Sequence, residues 1–390
     1  MTEQKSKINE LYCLIKQYEG HITKTKLANK IASYFNLEKK RSVYACADFA
    51  VRFSYSKTTS FSNTVLALST LKKYDDSPFF VCLITPKCNY LYLANSTFLS
   101  KISHSSQALS LTNIKGSFNG SDIMKEYNAI ENKYENFEVL YAIHQSFSFS
   151  QNLERLVQST NEINPTGEKV EFTTDDEVVL LDSVQRTIDF IKSKEYNTLL
   201  EDLNQRVYSV KEAIFEVVDK VENVNKKGQF IEFLIASNDE KVKNELIVAM
   251  RNLTDFPNLY TKDELGDFNR TYNGYKVAVD IKSKDLNLMS NPKGYNLDKA
   301  LSFFSKEKTV FFMYFVGVDV KKRDLKTKLV PIFDEKLLKH THIQKHWAGR
   351  NSRGVSQFYG SQLNDLLNPD YEININCDVA KQWLQQIIAL

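Results

Sequence analysis

Residues 267–284 read DFNRTYNGYKVAVDIKSK, and the Asn273-Gly274 pair inside this stretch constrains the fold more than any other local feature. Asn-Gly flanked by alternating apolar and polar residues specifies a two-residue type I′ hairpin, because both loop positions need φ > 0. With those two residues in the loop, Tyr272 faces Tyr275. Asp267 and Asp280, each five residues further out, are then directly opposed. Opposed residues hold their Cβ atoms about 4.5–5.5 Å apart, where like charges are destabilising. Alternation places Ala278, Asp280 and Lys282 on the face of Asp267, and Val277, Val279 and Ile281 on the other, expected as the core side. Two carboxylates and one ammonium therefore converge, and the pair of acids calls for a cation such as a divalent metal. Acid-any-Lys triplets recur elsewhere, as in Asp324-Leu325-Lys326 and Asp334-Glu335-Lys336, and are mostly solvated charges. Only Asp280-Ile281-Lys282 ends an apolar strand with an acid in register across a hairpin.

At 390 residues the chain exceeds one ordinary domain, and a 42% hydrophobic, 25% charged composition is that of a globular protein. The opening MTEQKSKINELYCL lacks a signal-peptide core, and the longest apolar run, TVFFMYFVGV, is too short to span a bilayer. Five cysteines without paired zinc spacing read as reduced thiols of a cytoplasmic protein with no membrane contact. Charge is unevenly spread: residues 1–170 carry 20 Lys/Arg against 15 Asp/Glu, residues 171–225 carry 6 against 13, and residues 226–390 carry 25 against 20. Two basic halves around an acidic middle suit contact with a polyanion at both ends.

The pattern divides into three parts: 1–165, 166–225 and 226–390. Residues 6–53 read as three short helices, the middle one capped by Thr23. Either a helix-turn-helix or winged-helix start or a plain amphipathic bundle fits them. Strands PFFVCLIT and NYLYLAN follow, then the polar stretch SKISHSSQALSLTNIKGSFNGSD, suited to hydrogen bonds with phosphates or base edges. The stretch 161–169 reads as a linker. Helices are expected from a capping box at Thr174 to about 193, then over 198–224, forming an acidic connector or a dimer surface. From 228 the order is helix, hairpin, helix (295–306), buried strand (309–318), strand (KLVPIF) and helix (DEKLLKHTHI), an α/β or α+β pattern.

That order of helix, acid-bearing hairpin with D-x-K, helix and buried strand resembles the PD-(D/E)xK nuclease superfamily over about residues 228–330. The chain looks most like a type II restriction endonuclease. The resemblance implies a mixed sheet flanked by helices, with Asp267 as first acid, Asp280 as second, Lys282 as the lysine and Glu232 as a supporting acid on the preceding helix. Gly266 stands where the family has Pro, which leaves Asp263 and Glu264 as rivals for the first acid; the hairpin register favours Asp267. A Mg²⁺ held by Asp267, Asp280 and the Ile281 carbonyl would serve phosphodiester hydrolysis, with Lys282 orienting or helping to deprotonate water. The expected function is site-specific cleavage of double-stranded DNA leaving 5′-phosphate ends, in restriction of foreign DNA. A homodimer is expected because two strands need two sites. The alternatives are a methyl-sensing, modification-dependent endonuclease, a non-catalytic DNA-binding regulator with a degenerate nuclease fold, and a two-domain protein with incidental charges.

Between residues 321 and 353 ten Lys/Arg face three Asp/Glu, so Lys345, Arg350, Asn351, Arg353 and Gln357 are candidate DNA contacts, with Gly354 allowing close backbone approach. His340, His342 and His346 have crude metal spacing but lack a completing ligand, and read as surface histidines. No Walker-type glycine loop occurs, so no nucleotide cofactor is expected.

Overall fold

The structure is a computed structural model and describes residues 2–20, 23–58, 61, 64–105, 116–164, 166, 169–221, 223–252, 256–257, 259, 264–288, 291–344 and 351–390. Its contacts divide the chain into two compact units, residues 1–167 with 345–351 and residues 168–344 with 352–390. Both are mixed helix and strand.

The first unit opens with α1 (Thr2–Gln17) and α2 (Lys24–Tyr34). Thr23 caps α2 by accepting from the Lys26 N–H at 3.5 Å, and Leu27, Ala28 and Ile31 form its buried stripe. The expected third helix does not form. Residues 38–55 instead make β1 (Glu38–Lys40), β2 (Val43–Ala45) and β3 (Ala50–Tyr55). Asn36 and Arg41 take positive φ (51° and 57°), which ends helical winding, and the alternating Val43, Val51 and Phe53 favour pleated backbone. The unit continues with β4 (Thr64–Ala67), α3 (Leu68–Leu71), β5 (Phe79–Ile84), β6 (Asn89–Leu93), β7 (His104–Ser105), β8 (Gly116–Asn119), β9 (Glu126–Tyr127) and β10 (Ile130–Glu131). Helices α4 (Phe137–His144) and α5 (Phe149–Asn161) close it. The main sheet has the order β1-β2-β3-β5-β6, with β5 parallel to β3 and antiparallel to β6. One face packs Phe53 and Phe80 against Leu11, Ile15 and Ile31; the other packs Phe79 and Val81 against Val65, Phe118 and Leu156. The middle of the Ser-rich stretch, residues 106–115, lies outside the described residues.

The second unit begins with α6 (Thr174–Ile191), α7 (Lys194–Ser209), α8 (Lys211–Lys220), α9 (Val224–Ala236) and α10 (Glu240–Asn252). The capping box sits on Thr173, one residue before the expected cap: its hydroxyl accepts from the Asp176 N–H, and the Asp176 carboxylate accepts from the Thr173 N–H at 2.9 Å. Two expected long helices are each broken. Val210 leaves the helical region (φ −110°, ψ 14°) between α7 and α8. Ser237-Asn238-Asp239 interrupts the next, where Asp239 Oδ1 accepts from the Val242 N–H and caps α10. Then come β11 (Phe268–Tyr272), β12 (Tyr275–Asp285), β13 (Lys293–Asn296), α11 (Leu297–Phe304), β14 (Thr309–Asp319), β15 (Asp324–Pro331), α12 (Glu335–Lys339), β16 (Thr341–Gln344), β17 (Val355–Phe358), α13 (Gly360–Leu366) and α14 (Cys377–Ala389). The expected helix DEKLLKHTHI is thus helical only over its first half, and Thr341–Gln344 pairs with β17 instead.

Strand order in the central sheet is β11-β12-β14-β15, with β12 and β14 parallel and the other pairs antiparallel. Helices cover both faces. Val277, Val279 and Ile281 pack with residues of α7 to α10 such as Leu203, Ile214, Leu234 and Leu246. Ala278, expected on the open face, is fully buried with Val184, Leu301 and Leu384 of α6, α11 and α14. Because β12 is paired on both edges and covered on both sides, an acid near its C-terminal end is carried into the interior. Residues 174–220 belong to this same unit, contributing Val184, Leu199 and Val217 to its cores.

Two of the C-terminal candidate contacts, Arg353 and Gln357, are engaged within their own unit. Arg353 is 4% exposed and clamps its own unit. Its Nη1 pairs with Asp298 Oδ1 at 2.7 Å and donates to Val170 O at 2.7 Å, while Nε donates to Ile387 O at 3.0 Å and Nη2 to Ile388 O at 3.1 Å. Buried, and with four of its five N–H groups engaged within the unit, this guanidinium is not presented for reading a base. The Gln357 side-chain oxygen accepts from His342 Nε2 at 2.8 Å and Gln344 Nε2 at 2.6 Å, and its amide donates to Asn291 O, so it bridges β16 and β17. Gly354, at φ 107°, serves an internal contact, its carbonyl accepting from the Leu297 N–H. The Asn351 N–H donates to Thr166 O at 3.2 Å; Lys345, His346 and Arg350 lie outside the described residues.

Arg353→Ala should destabilise the chain by about 3–5 kcal/mol, because the largely covered Asp298 carboxylate loses its counter-charge and four backbone or side-chain acceptors lose their donor. Urea unfolding should show the double variant Arg353→Met/Asp298→Leu losing less than the single one.

Candidate active site

The hairpin forms in the expected register: Tyr272 pairs with Tyr275 and Phe268 with Val279, around Asn273 (φ 47°) and Gly274 (φ 81°). The ladder ends at Phe268; Asp267 lies one residue beyond it, near enough to Asp280 to raise that carboxyl's pKa. Just before it the chain turns out of the sheet at Gly266, whose φ of +74° proline cannot adopt. A Cβ there would come 2.7 Å from Val279 O, so the position accepts only Gly. The turn lets the Asp267 N–H donate to Val279 O at 2.8 Å, while Asp267 Oδ2 accepts from the Ile281 N–H at 2.8 Å. The side chain thereby replaces the ladder carbonyl that β11 no longer supplies, and it fixes the first acid against the second. Glu264 is exposed ahead of this turn, and Asp263 lies outside the described residues.

Lys282 ties the acids together. Its Nζ donates to Asp280 Oδ1 at 3.1 Å, Glu232 Oε1 at 3.2 Å and Ile281 O at 3.0 Å, with Asp267 Oδ2 at 3.8 Å. Glu232 arrives on α9, which packs across β12 and brings a third carboxylate to Lys282. The side chains are graded in exposure, from 30% at Asp267 to 11% at Asp280.

Three carboxylates around one ammonium leave an excess of negative charge in a buried place. Burial, with the neighbouring Asp267 and Glu232, holds the Asp280 carboxyl well above the usual carboxylate range despite Lys282. Burial likewise raises Glu232. For Lys282 burial acts downward, but Asp280, Glu232 and Asp267 outweigh it and the ammonium is held more firmly protonated. Asp280 Oδ2 is buried without a hydrogen-bond partner. Among the described residues no group of three or more His, Cys, Asp or Glu side chains is placed to hold a metal ion. The hard oxygen donors, the orphaned Asp280 oxygen and the surplus negative charge nevertheless fit a divalent cation of the magnesium class.

Two neighbours were missed in the sequence. Lys284, buried two positions beyond Lys282, donates to Asn364 Oδ1 at 2.8 Å, and Tyr295 is buried near enough to Asp280 for that carboxylate to add to the rise in its pKa caused by burial. Strand alternation could have drawn attention to Lys284. Nothing local points to Asn364 or Tyr295, which come from distant elements. His342 Nε2 engages Gln357 and His340 Nδ1 the Lys336 carbonyl, while His346 lies outside the described residues. Among the described residues no helix is long and apolar enough to cross a membrane.

No family model, curated protein or solved structure matches this chain.

Asp280→Asn should raise the unfolding temperature of the metal-free chain, since it removes one of three crowded carboxylates, by about 2–4 °C per kcal/mol relieved. Scanning calorimetry with and without MgCl₂ checks this: Mg²⁺ should stabilise the parent and lose that effect in the variant. Equal Mg²⁺ stabilisation of both places the cation elsewhere.

Proposed function

We propose that this chain is a PD-(D/E)xK-type phosphodiesterase, a Mg²⁺-dependent, site-specific double-strand DNA endonuclease. One observation supports the reading: Lys282 Nζ lies 3.1 Å from Asp280, 3.2 Å from Glu232 and 3.8 Å from Asp267, so three carboxylates gather around it at the end of the hairpin. Asp267, Asp280 and the Ile281 carbonyl would hold the metal. When bound, Mg²⁺ supplies charge neutralisation at the scissile phosphate and a lowered pKa for water.

The chain's own groups set the rest of the chemistry. Lys282, kept protonated by its acids, is suited to orient the attacking water and to stabilise charge on the phosphoryl oxygens; it is poorly suited to be the base. Glu232 anchors that ammonium from the helix side. Water oxygen bonds to phosphorus and gives up a proton to solvent, the bond to the 3′ oxygen breaks, and that oxygen takes up a proton from solvent, leaving a 5′-phosphate and a 3′-hydroxyl. Cutting two strands requires two such sites, hence a homodimer at least during the reaction.

Incubation of supercoiled plasmid with the full chain and MgCl₂ should give linear product, and discrete fragments from larger DNA. Lys282→Ala, Asp280→Asn and Asp267→Ala should each lower the rate by at least about 10²-fold, with Glu264→Ala near parental. Parental cleavage by a folded Asp280→Asn variant overturns the assignment. Substrates with and without base methylation separate a plain restriction enzyme from a modification-dependent one.

A further inference from the structure

Residues 23–41 of the first unit, TKTKLANKIASYFNLEKKR, hold six Lys/Arg against one Asp/Glu. The fold gathers several of these charges instead of scattering them. Lys24 and Lys26 stand on the first turn of α2, whose opposite side is buried through Leu27, Ala28 and Ile31. The β1–β2 hairpin presents Lys39, Lys40 and Arg41 on a wholly exposed strand and its turn. Register shows that they meet. Lys39 pairs with Tyr44 and Tyr44 with Val51, so Lys39 shares the sheet face that α2 covers, with its ammonium over the Tyr44 ring at 5.4 Å. Arg52 comes in beneath the hairpin, donating to Ser42 O at 3.2 Å and Val65 O at 3.0 Å.

These cations have little to balance them. Glu38, the one acid in the stretch, pairs with Lys40 at 3.1 Å on the open surface. Lys24 has no carboxylate partner among the described residues. Its pKa is lowered, first by burial and then by Arg52 and Lys39. Like charges held together by a fold cost stability unless a ligand of opposite sign uses them. Beside Lys24 lies an open depression of about 600 Å³ lined by Gly20, Thr23, Thr25, Tyr55 and Thr85. Hydroxyl and ammonium groups along a shallow surface are the donors that phosphate oxygens accept from. The surface is flat and multi-pronged, with charges on two elements, which fits a repeating polyanion better than a single small anion.

We propose that α2 and the β1–β2 hairpin form a sequence-independent contact for the phosphate backbone of double-stranded DNA, with Lys24, Lys39 and Arg41 as its principal cations. The choice of duplex DNA as occupant rests on the nuclease reading of the second unit. The contact positions the substrate and carries no base preference.

The test uses the full chain with 30-bp duplexes in CaCl₂, measuring affinity by fluorescence anisotropy over a salt series, and plasmid cleavage in MgCl₂. Lys24→Ala/Lys39→Ala/Arg41→Ala should weaken all duplex sequences alike and flatten the slope of log K against log salt by roughly 0.9 per lost phosphate contact, about 2–3 in total. Lys192→Ala/Lys194→Ala, removing exposed charge from the second unit, should leave the slope at its parental value. A parental slope in the triple variant, from a parent that binds and cuts DNA, overturns the surface and spares the nuclease reading. Loss of salt-dependent binding in the triple variant of a parent that binds but never cuts supports the surface and overturns the nuclease reading. A parent that neither binds nor cuts overturns both.

Discussion

The antiparallel pairing of β11 with β12 is the constraint from which the site follows. Its register is set at one end by the Asn273-Gly274 turn and at the other by Gly266, which bends the chain away once Asp267 has been delivered. A slip of one residue would turn Asp280 and Lys282 to the opposite face and break the Asp267–Ile281 hydrogen bond. The parallel pairing of β12 with β14 then holds the acid-bearing end rigid, because Asp280, Ile281 and Lys282 all lie inside that ladder. Placing a site on a central strand favours preorganisation over adaptability.

Charge burial is the other side of that arrangement. Asp280 and Lys282 are far less solvated than an edge position would leave them, and their mutual attraction offsets only part of the desolvation. Glu232 adds negative charge to an already acidic cluster, which makes little sense as a stabilising device. Under the nuclease reading proposed above it prepares the site for a cation, since the carboxylates raised by burial are the groups a divalent ion would recover.

The hairpin, its register and the convergence of Asp267, Asp280 and Lys282 were legible because they depend on local turn chemistry and a two-residue period. Glu232 was legible through a resemblance and by its place on the preceding helix. Arg353 was misread because its partners are far away: Asp298, Val170 and the carbonyls of Ile387 and Ile388 come from three separate segments. A guanidinium beside Asn, Ser and Gly looks the same in sequence whether it faces solvent or a core. Helix breaks at Val210 and Ser237-Asn238-Asp239 were missed because amphipathic spacing continues across them. The strands at 38–55 were missed because short apolar runs do not separate helix from strand by periodicity alone.

Strand β14 is buried along ten of its eleven residues and joins β12 across a gap of about thirty residues, Lys276 facing Thr309. Such long-range parallel pairing is slow, because the intervening loop must close before either strand gains from it. During that interval TVFFMYFVGV is an uncovered segment with high β propensity and no proline, the kind that self-associates between chains. Lys306, Glu307 and Lys308 before it, and Asp319, Lys321 and Lys322 after it, act as charged gatekeepers at both ends. The same strand that stiffens the site is therefore the segment on which the yield of folded protein depends. Fragments that separate it from β12 leave its longest partner missing and are directed toward aggregation.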